Sequence, residues 1–242
     1  MAYGDFVVQR NLNFTINRGD VFIIMGGSGC GKSTLLKIMI GLRSPATGDV
    51  WYDDQAFWTS SEAARQAAKR KFGTLFQSGA LWSSMTLADN IGLALRQYTD
   101  LEDDEIREVA AVKLMLVGLA GFEDYYPNEI SGGMKKRAGL ARAMALDPKI
   151  LFFDEPSAGL DPISASLLDD LIVELRDSLG TTVVIVTHEL ASIFAIGNNS
   201  VFLDTQSKTQ LATGDPKELR DHHPDFVVRN FLQRGKAEAN AA

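Results

Sequence analysis

The sequence predicts an α/β fold: a mainly parallel sheet wrapped by helices, with a helical run inserted between its strands. Three observations lead there. Short β-prone runs alternate with helical stretches along most of the chain. Residues 21–25, 150–153 and 182–186 are continuous apolar runs, the pattern of strands covered on both faces of a parallel sheet. Between 86 and 145 the texture turns helical, with no strand signal.

Taken in order, 12–16 and 21–25 are expected strands and 32–40 a helix. Residues 50–52 and 73–76 are expected strands on either side of a polar helix, 62–71. Within the helical run, 100–108 is acidic enough to be a solvated surface. A helix including 169–179 links the strands 150–153 and 182–186. Residues 201–204 and 209–212 read as a late hairpin, and polar helices follow to Leu232. The small polar tail 236–242 is expected to be disordered. That leaves one domain over 1–235, with a helical insert at about 84–147.

Composition narrows the function. The 242 residues carry 31 acidic and 24 basic side chains, a net charge of −7, which argues against a nucleic-acid-binding protein. One cysteine excludes a disulfide framework and a multi-cysteine zinc site. The apolar runs are too short to cross a bilayer, and the N-terminus has no basic-then-apolar signal pattern. The expectation is a cytoplasmic chain whose membrane role, if any, comes through a partner.

Gly26-Gly27-Ser28-Gly29-Cys30-Gly31-Lys32-Ser33, followed by Thr34, fits G-x-x-x-x-G-K-[ST] between an expected strand and an expected helix. Glycines there let backbone N–H groups curl around phosphate oxygens, and the helix start adds positive potential. Lys32 is expected to reach the β- and γ-phosphates and Ser33 to ligate Mg2+. Cys30 is read as a filler of a permissive loop position rather than a redox group. Asp154 and Glu155 end an apolar strand: the first suits a Mg2+ shell and the second a water-polarising base, although paired acids there also serve as helix caps. Ser131-Gly132-Gly133 is a second glycine-rich helix start, hence a second anion site.

In this order the motifs resemble the nucleotide-binding subunit of an ABC transporter, over nearly the whole chain. The resemblance implies a P-loop fold of ABC type, with a small antiparallel β subdomain beside the core sheet. It implies Walker A at Gly26–Ser33, a Q-loop glutamine at Gln77 contacting the metal, and the signature motif at Ser131–Gly133. Asp154 becomes Walker B, Glu155 the catalytic base, 157–161 the D-loop, His188 the switch histidine, and Tyr3 the aromatic residue stacking on adenine. ATP and Mg2+ are the implied ligands. In this family two copies sandwich two ATP molecules, so the second anion site serves the partner's nucleotide. The resemblance also implies integral-membrane permease subunits and a peripheral place on the cytoplasmic face of the inner membrane.

Residues 76–82 and 131–143 resemble more narrowly the ATPases paired with MCE proteins, the Mla-type phospholipid systems, including methionine at 134 where most relatives carry glutamine. That implies an MCE-domain lipid-binding partner and a small STAS-domain regulator. An ATPase for an importer of a small polar solute, or a soluble non-transport ABC protein, are the alternatives. Lys135-Lys136-Arg137 is expected to be a solvated helix face, and His222-His223 a solvated loop. Tyr3 stands almost at the start, where the family has a strand ahead of it: either the start is assigned late or the small sheet lacks its first strand.

Overall fold

The computed structural model describes residues 1–77 and 79–233, so the expected tail at 236–242 lies outside the described residues. The chain divides into two compact units, 1–69 with 182 onward, and 70–181.

The first unit opens with a hairpin of two-residue strands, β1 (Ala2–Tyr3) and β2 (Phe6–Val7). β3 (Val21–Gly26) is wholly buried and leads into α1 (Lys32–Met39). A second small hairpin pairs β4 (Trp51–Tyr52) with β5 (Gln55–Ala56), turning through Asp53 at φ 53°, and α2 (Glu62–Lys69) follows.

The expected strand at 12–16 does not form. Its backbone is claimed by a side chain instead: Asn13 N–H donates to Gln210 Oε1 and Gln210 Nε2 donates to Asn13 C=O, both at 2.7 Å. Phe14 still packs inward, stacked on Phe22 at 5.4 Å between ring centroids.

The second unit runs β6 (Phe72–Leu75), α3 (Leu87–Tyr98), α4 (Asp103–Leu116), a 3₁₀ turn (Pro127–Glu129), α5 (Gly132–Ala143), β7 (Ile150–Asp154) and α6 (Pro162–Leu179). β6 and β7 pair in parallel, from Phe72 opposite Ile150 to Leu75 opposite Phe153. The α6 helix extends N-terminally beyond 169–179, because Asp161 caps it, accepting from Ile163 and Ser164 N–H, and Pro162 sits at its first position.

Back in the first unit come β8 (Thr182–Val186), α7 (Leu190–Ile196), β9 (Asn199–Leu203), β10 (Gln210–Thr213), α8 (Pro216–His222) and α9 (Phe226–Leu232). β3 is flanked in parallel by β8 and β9, and β10 closes antiparallel on β9 as the expected late hairpin. Double-sided coverage explains why β3 and β8 read as unbroken apolar runs. His222 is helical rather than in a loop, with Nδ1 3.1 Å from Glu218 one turn earlier.

Candidate functional site

In the first unit the glycine-rich loop leaves β3 at Gly26, whose φ is 146°. A Cβ there would lie 2.2 Å from the Leu203 carbonyl oxygen and 2.9 Å from Cys30 Sγ, so only glycine fits. Gly29 and Gly31 are left-handed at φ 77° and 98°, and Gly31 caps α1. Cys30 N–H returns to Gly27 C=O at 3.3 Å, which leaves Ser28 and Gly29 exposed at the tip. Lys32 folds its ammonium over this loop, donating to Gly26 C=O at 2.9 Å and Gly27 C=O at 3.1 Å. Ser33 and Thr34 complete the first turn of α1. Cys30 is 1% exposed, and burial pushes its thiol up against the opposing pull of Lys32, which suits a packing group rather than a reactive one.

Two residues that the sequence reading missed support this loop and Tyr3. Gln9 is fully buried, and its Nε2 donates to the carbonyls of Cys30 (2.8 Å) and Asp204 (2.7 Å), tying the loop to the end of the sheet. Arg43 lays its guanidinium over the Tyr3 ring. Tyr3 Oη lies 3.3 Å from Thr34 Oγ1, and that hydrogen bond, assisted by Arg43 and Lys37 and opposed by desolvation, draws the phenol below its usual range. His188 stands exposed just beyond β8, where Glu189 N–H is held by Thr187 Oγ1 at 3.0 Å.

In the second unit Asp154 ends β7 and Glu155 follows in the left-handed region at φ 51°. Gln77 is exposed in the turn after β6. Ser131 caps α5, its Oγ accepting from Met134 N–H at 3.2 Å, so the helix start carries the Ser-Gly-Gly sequence. A Cβ on Gly132 would meet nothing within 4 Å, and one on Gly133 only Ser164.

The expectation of a solvated face at 135–137 fails at Lys136, which is buried, while Lys135 and Arg137 are half-buried. Arg137 donates to the carbonyls of Val117 (3.0 Å) and Gly118 (3.2 Å). Lys136 is 7% exposed, and its ammonium donates to the carbonyls of Gln77 and Glu155, the latter at 3.4 Å. One and two turns on, the same face of α5 carries Gly139 and Arg142. A Cβ at 139 would crowd Leu75 and the Gly79 carbonyl, while Arg142 donates to Gly79 C=O (3.2 Å) and Ala80 C=O (2.5 Å). The carbonyls of Gln77, Gly79 and Ala80 are thus gripped by one face of α5. A cation, glycine and cation spaced three apart was the available signal in the sequence.

Asn90 was also missed. It is fully buried on α3, accepts from Trp82 N–H at 2.7 Å, and donates to the carbonyls of Trp82 (3.1 Å), Met85 (3.2 Å) and Thr86 (2.9 Å).

Residues 9–158 match the family model described as ABC transporter. The intermembrane phospholipid transport system ATP-binding protein MlaF of Haemophilus influenzae is 38% identical over 230 residues, covering 95% of this chain and 86% of the relative. Its Escherichia coli counterpart is 38% identical over 229 residues, covering 95% and 84%. A Mycobacterium tuberculosis protein, described as a probable ribonucleotide transport ATP-binding protein, mkl, is 39% identical over 231 residues; the match takes in 96% of this chain but spans only 64% of that relative's length. Among solved structures, cbiO1 from Clostridium perfringens, part of the ABC transporter complex cbiONQ, aligns with a TM-score of 0.80 at 29% identity, covering 89% and 84%. The ATP-binding cassette MJ0796, a dimer in a post-hydrolysis state bound to ADP and Pi, aligns at 0.77 and 30% identity, covering 86% and 90%.

Proposed function

The chain belongs to the ABC transporter family, and on that premise we propose that it is the ATP-binding and ATP-hydrolysing subunit of a phospholipid transporter of Mla type. The observation that carries the nucleotide reading is the loop after β3. Its left-handed glycines, the start of α1 and the Lys32 ammonium form the donor set that a polyphosphate needs.

The residues present suit Mg·ATP. Gly26 to Gly31, with Ser28 and Cys30 contributing backbone, wrap the phosphates, Lys32 takes the β- and γ-phosphates, and Thr34 continues the helix start. Ser33, Asp154 and Gln77 would hold Mg2+, which neutralises charge on the phosphate oxygens when bound. Tyr3 stacks on the base. Glu155 accepts the proton of the attacking water, and His188 and Gln77 orient the γ-phosphate. Ser131, Gly132 and Gly133 of a second copy cover the nucleotide, which excludes bulk water and positions the reacting groups. The dimer seen for MJ0796 supports that arrangement.

No helix among the described residues is long and apolar enough to cross a membrane. In this reading separate permease subunits cross the bilayer, with this chain peripheral on their cytoplasmic face at the inner membrane. The segment around 77–90 docks them. An MCE-domain protein carries the lipid onward, and a small STAS-domain protein is the expected regulator. The match to MlaF over most of both chains supports lipid as the cargo.

A second reading, an importer of a small polar solute, is favoured by the mycobacterial relatives named for ribonucleotide transport. Purification through a tag on this chain, followed by identification of bound small molecules and partners, separates the two. Phospholipid with an MCE-domain protein supports the first. A solute-binding protein, with turnover stimulated by a nucleotide solute, supports the second.

A further inference from the structure

The Lys136 ammonium is the one buried cation on α5 that touches the backbone of two residues assigned to the reaction, Gln77 and Glu155. Removing an ammonium from water is costly unless its partners offset the lost hydration. If packing alone were at stake, an apolar side chain of similar length would serve. Its partners are carbonyls, which accept hydrogen bonds but carry no full charge, so the ion is incompletely offset. Burial accordingly draws the Lys136 ammonium below the usual lysine range, and the Glu155 carboxylate works in the opposite direction.

Three things meet at this atom. Gln77 follows β6, Glu155 follows β7, and α5 begins five residues before Lys136 at the capping Ser131. Glu155 is held at φ 51°, a conformation that a non-glycine residue keeps only when its surroundings impose it. A hydrogen bond to its own carbonyl is one such constraint. The neighbouring grip differs: Arg142 holds the carbonyls of Gly79 and Ala80 and does not reach Glu155.

We propose that Lys136 is a positioning residue for hydrolysis: its ammonium fixes the backbones of Gln77 and Glu155 relative to each other, and links both to the helix that begins with Ser131-Gly132-Gly133. Lys136 acts through Glu155, so its effect falls on turnover rather than on ATP affinity.

This rests on the reading of Glu155 as the base, and the test includes a variant that examines that reading separately. The complete assembly is purified through a tag on this chain, with Lys136→Met, Lys136→Arg, Arg142→Met or Glu155→Gln, and the ATPase kcat and KM are measured alongside thermal unfolding. Lys136→Met is expected to lower kcat about 10- to 100-fold, the scale of losing a group that orients a reacting residue, with KM within about twofold. Lys136→Arg keeps a cation and donors at the site and is expected to recover most of the rate. Arg142→Met, which loosens the same segment without touching Glu155, is expected to lose far less kcat for a comparable fall in unfolding temperature. Equal kcat losses for Lys136→Met and Arg142→Met would overturn the proposal, because the effect would then be one of packing. Should Lys136→Met fail to fold, an Arg variant that folds as well as the parent yet turns over as slowly as Glu155→Gln also overturns it. Near-normal kcat in Lys136→Met while Glu155→Gln is inactive overturns this inference alone. Near-normal kcat in Glu155→Gln removes the base assignment instead.

Discussion

Arg43 lies over Tyr3, with its guanidinium carbon 3.5 Å from the ring centroid and its Nη2 donating to the Ala2 carbonyl at 2.9 Å. With Thr34 at the phenol end, the ring is held on two sides, although it remains 47% exposed. A short hairpin, Ala2–Tyr3 against Phe6–Val7, has little else to fix an aromatic plane. Tyr3→Ala is expected to weaken ATP binding about tenfold, the scale of losing one aromatic–base stack, while inorganic triphosphate binds within about twofold of the parent. Arg43→Ala should give a smaller loss of the same kind, since the ring is then present but less ordered. Titration calorimetry with both ligands checks this; equal losses for ATP and triphosphate would contradict a role for either residue at the base.

The loop glycines separate space from strain. Gly26→Ala combines an unfavourable φ with a Cβ that would sit 2.2 Å from a backbone oxygen, whereas at Gly29 the Cβ meets nothing within 4 Å and only the strain remains. The expected losses in urea unfolding are about 2–4 kcal/mol for Gly26→Ala and about 1 kcal/mol for Gly29→Ala. If Gly29→Ala were as costly as Gly26→Ala, the close approach of Leu203 would not be what selects glycine there.

Glu155→Gln keeps the shape of the side chain but removes the proton acceptor. Turnover should fall by about 10²–10⁴ while ATP binding persists. ATP should then hold two copies together, visible as a dimer by light scattering. Adding Ser131→Arg puts bulk and a charge where the partner's nucleotide must pack, so the dimer should be lost although each chain still binds ATP. A dimer that survives Ser131→Arg would place the contact elsewhere.

What the sequence disclosed follows from how locally each feature is encoded. Residues 21–25, 150–153 and 182–186 are readable because burial on both faces forces unbroken apolar runs, and 26–33 because loop glycines at fixed spacing carry their own geometry. The failed strand at 12–16 has β-prone residues, but its hydrogen-bond partner is the side chain of Gln210, far along the chain. Lys136 sits between two cations and reads as surface; only the convergence of the Gln77 and Glu155 carbonyls buries it. The strands at 2–3 and 6–7 are too short to show any period.

Asn90 organises the stretch that the proposed permease contact would use. One side-chain amide makes four hydrogen bonds to residues 82–86, so the path of the chain before α3 is written in that group rather than in its own packing. Thr86 closes the arrangement by capping α3 through Asp89 N–H. Asn90→Ala leaves the Trp82 N–H and three carbonyls short of a buried partner, an expected cost of about 2–4 kcal/mol in unfolding. Asn90→Asp should cost at least as much, because an ionised carboxylate cannot donate to three carbonyls and would itself be buried. Neither change touches the loop at 26–33, so ATP affinity should stay within about twofold while recovery of membrane subunits in a tag purification drops several-fold. Complete recovery of those subunits with a destabilised Asn90 variant would move the docking surface away from residues 82–86, because the backbone there could not have kept its shape without the amide.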